Sequence, residues 1–162
     1  MKSFLTIPLF FFAGIVIAQS ELPDVTLKTL AGQTVSLDEA VKEGRVTVLS
    51  FWATWCKPCI KELDEVSWLY PEWQENYNVE IVAITIDDAR NLAKVAPLLE
   101  EKGWEYTMLS DVNQTLMKAL AFQTVPQVFV VDKNRKIVWS HSGYVPGNEE
   151  ELEHVIAEYA AK

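Results

Sequence analysis

Cys56 and Cys59 are the only cysteines in this 162-residue chain, and they sit three apart in Trp55-Cys56-Lys57-Pro58-Cys59. The run before them, Val46–Trp52, is β-branched and aromatic and reads as a buried strand, so the pair falls at a strand-to-helix turn. Two residues three apart in a first helical turn lie on one face, close enough for their sulfurs to bond without backbone movement. The pair is thus a dithiol that can close into a disulfide and reopen. A helix N-terminus offers free N–H groups and a partial positive charge, which stabilise a thiolate at Cys56, and Lys57 adds a cation beside it. Cys56 is the expected nucleophile. Pro58 suits the first turn, where a missing N–H costs nothing, and Cys59 follows as the resolving thiol that attacks a mixed disulfide.

Other uses of two cysteines fit less well. A tetrahedral zinc site needs about four ligands, and beyond this pair the chain offers only His141 and His154, so no metal is expected. A purely structural disulfide across a two-residue gap removes little unfolded-state entropy. Glu62, three residues past Cys59, can lie on the cysteine face and move protons for it; a solvated helix carboxylate is the plainer reading. Trp52, inside the strand, reads as core, whereas Trp55 beside the nucleophile reads as an apolar rim for a docking partner, with core as its alternative. The remaining tryptophans, Trp68, Trp73, Trp104 and Trp139, read as packing residues.

Phe51-Trp52-Ala53-Thr54-Trp55-Cys56-Lys57-Pro58-Cys59 is similar to the active-site segment of thioredoxin-fold proteins, and Thr124-Val125-Pro126 resembles the loop carrying their cis-proline. The two motifs lie about seventy residues apart, in the family's order. More narrowly, the stretch from Leu22 to the C-terminus resembles the exported TlpA/ResA-like thiol-disulfide oxidoreductases. It includes their N-terminal hairpin and an extra helix-strand unit between Asp88 and Asp111. The resemblance implies acid-base chemistry for Glu62 and a cis Val125–Pro126 bond; a trans proline opening an edge strand is the alternative. It also implies that Thr124 and Val125 meet an extended substrate segment by strand addition. Ordinary thioredoxins carry a buried Asp six residues before the nucleophile. Here Ser50 stands there, and its reading is core filler with the hydroxyl satisfied by nearby backbone.

Met1–Ser20 opens with Lys2, runs through apolar Phe4–Ala18 and reaches small residues, the pattern of a signal peptide cleaved after Ala18 or Ser20. Fifteen apolar residues interrupted by Pro8 fall short of the ~20 that span a bilayer, so a retained anchor is the lesser expectation. Fourteen basic against 23 acidic residues give −9, and removing one lysine with residues 1–20 leaves −10. A surface so acidic, without a basic stripe, does not suit nucleic acid. Residues 21–162 suit one domain, expected to be a monomer.

The elements that must hold the dithiol follow from periodicity and punctuation. A hairpin is predicted over Val25–Leu30 and Thr34–Ser36, then a capping box at Ser36 and Glu39 with a helix over Leu37–Lys42. After strand Val46–Trp52, Cys59, Leu63, Val66, Tyr70 and Trp73 form the apolar stripe of a helix on a sheet, kinked by Pro71 near Ser67. Strand Glu80–Ile86 leads to capping signals at Asp87-Asp88 and a helix that Gly103 ends near Lys102. Strand Tyr106–Leu109, helix Gln114–Ala121, and an antiparallel pair Gln127–Asp132 with Lys136–Ser142 follow. A final helix capped by Asn148 and Glu151 ends near Tyr159. The fold class is α/β, thioredoxin-like, with a central mixed sheet flanked by helices.

The expected function is reduction of disulfides in exported, periplasmic proteins, with apocytochrome c as one substrate implied by resemblance. Electrons would come from a membrane thiol carrier, without a cofactor. A Lys-Pro pair between the cysteines lacks the His that stabilises the thiolate of strongly oxidising relatives, which favours the reductive direction. A non-catalytic binding module and a peroxidase with a lone peroxidatic cysteine are the alternatives.

Overall fold

Thr47–Trp52 is buried at every position, so this strand (β4) takes neighbours on both edges and cover on both faces. The computed structural model describes residues 20–162; the expected signal peptide, apart from Ser20, lies outside the described residues. Along the chain, β1 (Ser20–Glu21), β2 (Thr26–Thr29), β3 (Thr34–Ser36) and a single-turn α1 (Leu37–Ala40) precede β4. Then come α2 (Lys57–Tyr77), β5 (Glu80–Thr85), α3 (Val95–Lys102), β6 (Thr107–Ser110), α4 (Thr115–Ala119), β7 (Gln127–Val131), β8 (Lys136–Ser142) and α5 (Asn148–Ala160). One sheet runs β1-β8-β7-β4-β5-β6-β2-β3. Strands β4, β5 and β6 are parallel, and the rest join antiparallel, as the expected mixed sheet requires.

The predicted hairpin forms and is not a separate appendage, because β2 pairs with β6 and extends the main sheet. Ser36 and Glu39 make the reciprocal capping box, with Ser36 Oγ accepting from the Glu39 N–H at 3.1 Å and Glu39 Oε2 accepting from the Ser36 N–H at 2.9 Å. The inserted unit is a 3₁₀ turn, α3 and β6, and Gly103 ends α3 at φ 66°, a value that favours glycine.

Several sequence expectations give way. Pro71 sits within one continuous α2, on an exposed position. Helices α1 and α4 are shorter than expected, stopping at Ala40 and Ala119. At α5 the cap is Gly147 with φ 102°, and no side chain caps the helix. Asn148 accepts instead from the Val145 N–H at 2.8 Å, drawing its amide back to the loop.

Trp52 and Trp73 are core residues, and the Trp52 and Trp104 rings meet edge to face at 5.4 Å. Trp68 is not a packing residue. It is 83% exposed, because the apolar stripe of α2 passes through Val66, Tyr70 and Trp73 and leaves position 68 on the outer face.

Candidate functional site

The turn after β4 is fixed before the cysteines arrive. Thr54 donates its N–H to Asp87 Oδ2 at 2.8 Å and its hydroxyl to Asp87 Oδ1 at 2.9 Å, while the Thr85 hydroxyl donates to Asp87 Oδ2 at 2.7 Å. Parallel pairing sets Trp52 opposite Thr85, which brings the loops following β4 and β5 together at one sheet end. Asp87 is fully buried there. It is therefore a buttress of the active loop rather than the helix cap the sequence suggested. Its signal was a carboxylate directly after a buried parallel strand, at the end where α/β sheets place their sites.

Cys56 then takes the cap position of α2, with φ −92° and ψ 92°, and its Sγ accepts the Cys59 N–H at 3.3 Å. Lys57 and Pro58 fill the first two helical positions and are exposed. The cysteines are joined in a disulfide with a Cα–Cα distance of 5.3 Å. Cys56 is 5% exposed and Cys59 is fully enclosed, the order expected of nucleophile and resolving thiol. Trp55 is 60% exposed beside them, so the core alternative does not describe it.

Glu62 lies one turn past Cys59 and is buried, which removes the reading of a solvated helix carboxylate. Burial, and then the charge of Glu149, push its carboxyl up to about 8. Oε2 of Glu62 has no hydrogen-bond partner within the protein. The small pocket around it is lined by Val66 from α2, Val128 from β7, Trp139 and His141 from β8, and Asn148, Glu149 and Leu152 from α5. Ser50, expected to satisfy its hydroxyl on backbone, is buried with Oγ unpartnered; its backbone groups serve the β4 ladders, leaving the side chain without an acceptor. No carboxylate enters from β4, and Glu62 is the acid on the helix side.

The Val125–Pro126 bond is cis, as the resemblance implied. Pro126 is buried, Val125 half-buried and Thr124 exposed. Gln127 pairs with Phe51, so this segment lies at the end of β4 from which the dithiol loop leaves. Among the described residues no group of three His, Cys, Asp or Glu side chains is arranged to hold a metal ion. No helix among them is long and apolar enough to cross a membrane.

A bonded dithiol capping the helix that follows the central strand of a mixed sheet, with a cis-proline segment at the same sheet end, defines a thioredoxin-like protein. The chain belongs to the AhpC/TSA family, whose model matches residues 18–140. It is 30% identical over 118 residues to the thiol-disulfide oxidoreductase ResA of Bacillus thuringiensis (strain Al Hakam), covering 73% of this chain and 65% of that protein. Among solved structures, it is similar to an uncharacterized thioredoxin-like protein from Porphyromonas gingivalis. There the TM-score is 0.76 and the identity 40%, over 86% of this chain and 92% of that one. A putative thiol:disulfide interchange protein DsbE from Chlorobium tepidum superposes with TM-score 0.77 and 25% identity, over 88% and 96% of the two chains.

Proposed function

We propose that the chain is an exported thiol-disulfide oxidoreductase that reduces disulfides in other exported proteins. The observation that carries this is the Cys56–Cys59 pair closed at the N-terminus of α2, with the outer sulfur's residue bordered by exposed Trp55. In the reduced protein, Cys56 thiolate attacks one sulfur of a substrate disulfide, forming a mixed disulfide and releasing the other sulfur as a thiolate. In the fraction of molecules whose Glu62 carboxyl is ionised, a fraction that grows as pH rises toward 8, Cys59 then gives its proton to Glu62 and attacks Cys56. The Cys56–Cys59 bond forms, the mixed disulfide breaks, and the substrate's second sulfur leaves as a thiolate that takes a proton from water. Two electrons pass from the dithiol to the substrate.

Trp55, Thr124, Val125 and Pro126 form the docking face in this reading, and Lys57 and Pro58 tune the dithiol. The likeness to the curated oxidoreductase supports the reaction type, while its printed name says nothing of substrate or donor. A membrane thiol carrier would recharge the protein, and cytochrome c maturation is one setting for it. A peroxidase with a single working cysteine has less support, since both cysteines here are committed to one bond.

Reduction of insulin disulfides in the presence of dithiothreitol is the direct test. We expect turnover by the native chain and none by Cys56→Ser, with Cys59→Ser accumulating mixed disulfides on Cys56. A native protein that binds peptide without accelerating reduction would make it a binding module, and consumption of hydrogen peroxide by the reduced dithiol faster than of insulin would make it a peroxidase.

A further inference from the structure

Glu62 has little contact with bulk water: it is 5% exposed, and the inner pocket beside it measures about 10 Å³, at the threshold for a single water molecule. A proton taken from Cys59 must nevertheless leave before the next cycle. On the outside of the same α2–α5 packing lies a solvent-facing groove of about 290 Å³, lined by Glu65, Trp68, Leu69, Glu149, Glu150 and Glu153. One residue, Glu149, lines both spaces. Its carboxylate accepts from the Tyr144 hydroxyl at 3.2 Å and from the Gly147 N–H at 3.2 Å, contacts that hold it at the start of α5 between pocket and groove.

Resting on the oxidoreductase reading, we infer that Glu149 is the relay that carries the Glu62 proton to solvent. In each cycle the proton moves from Cys59 Sγ to Glu62, from Glu62 to a Glu149 carboxylate oxygen directly or through one water, and from Glu149 to the open groove. No electrons move in these steps. Every other titratable group facing Glu62 is worse placed. His141 on β8 lines the inner pocket but not the groove, and its ring is stacked on Trp139 at 5.7 Å. Tyr144, in the loop before α5, is pushed up to about 12 by burial and then by Glu149, so it stays a donor to Glu149 at neutral pH. Tyr106, ahead of β6, is raised further by burial and gives its hydroxyl to the Leu63 carbonyl. Glu65, on the same helix as Glu62, lines the groove and not the pocket.

Glu149→Gln removes the relay's proton and charge while keeping an oxygen for Tyr144 and Gly147, and Glu150→Gln is its control in the groove alone. Single-turnover resolution of a Cys56 mixed disulfide, followed in weak buffer, should slow about tenfold in Glu149→Gln and recover as imidazole buffer is added. Glu150→Gln should match the native rate. A native rate in Glu149→Gln, or an equal loss in Glu150→Gln, overturns the relay. A second measurement does not need turnover: the Glu62 side-chain carboxyl, identified by its loss in Glu62→Gln, is titrated by carbon NMR. Its midpoint should fall by about one pH unit in Glu149→Gln, through loss of a neighbouring like charge. An unmoved midpoint overturns the relay even if the native chain reduces insulin. A native chain that fails on insulin removes the reductase reading, and the relay is then decided by the titration.

Discussion

Asp87 grips Thr54 through both of its carboxylate oxygens, one on the backbone N–H and one on the hydroxyl, and so ties the end of β5 to the turn that presents Cys56. The site is thereby assembled from two parallel strands. A thiolate at the α2 N-terminus is useful only if that terminus is held still, and this buried carboxylate holds it.

Asp87→Ala leaves the Thr54 N–H, the Thr54 hydroxyl and the Thr85 hydroxyl without their acceptor, Thr85 in the buried interior and Thr54 half-buried. At about 1–3 kcal/mol for each buried group stranded in this way, the expected loss of stability is about 3 kcal/mol or more. Urea unfolding should show it. Asp87→Asn, which retains one carbonyl oxygen, should fall between the two. Equal midpoints for Asp87→Ala and the native protein would contradict the buttress role.

Glu62 gives the fold a pH dependence whose sign is fixed by burial. Its folded-state carboxyl titrates at about 8 against 4.5 when exposed, so between these values the folded protein keeps a proton that the unfolded chain has lost. Stability from this group is therefore complete below pH 4.5 and declines as pH rises through 8, with a total on the order of a few kcal/mol. Glu62→Gln should abolish that decline, and the difference between native and variant unfolding free energies across pH isolates it from other carboxyls. Parallel curves for the two proteins would mean that Glu62 is ionised in the fold. In kinetics, the same substitution should slow resolution and flatten its pH profile near 8.

The dithiol, its strand and its helix were legible because their signals are local: a two-residue gap, a run of β-branched residues, a stripe at helical spacing. The burial of Glu62 was not. A carboxylate three residues past a cysteine looks the same whether its face meets water or α5, and only the docking of α5 on α2 decides. Asp87 was misread for the same reason, since a carboxylate after a strand offers itself equally to a helix ahead and to a loop 33 residues back. Trp68 failed in the opposite sense. Its bulk suggested core, but its position one side of the α2 stripe leaves it exposed. The cap of α5 went to Gly147 because loop geometry after β8, not side-chain chemistry, sets its entry.

Cys56 and Cys59 should separate on alkylation of the reduced protein. Cys56 caps the helix and is the more exposed, whereas Cys59 is enclosed beneath it, so iodoacetamide should label Cys56 first by at least tenfold. Peptide mass mapping against time gives the order. Faster labelling of Cys59 would exchange the two roles and with them the place of Glu62, which sits one turn from Cys59.

Trp55 carries the last prediction, because an indole with 60% of its surface in water beside a buried disulfide has no packing task to explain it. Aromatic side chains in that situation anchor partners, at about 1–2 kcal/mol or more when covered. Trp55→Ala should then lower kcat/KM for a folded protein disulfide about tenfold, equivalent to about 1.4 kcal/mol, chiefly through KM. Exchange with a small disulfide such as oxidised glutathione, too small to cover the indole, should change less than twofold, and unfolding by urea should be unaltered because little apolar surface is lost from the core. An equal loss with both substrates would place Trp55 in tuning the dithiol itself, and no loss with either would leave the docking face to Thr124, Val125 and Pro126.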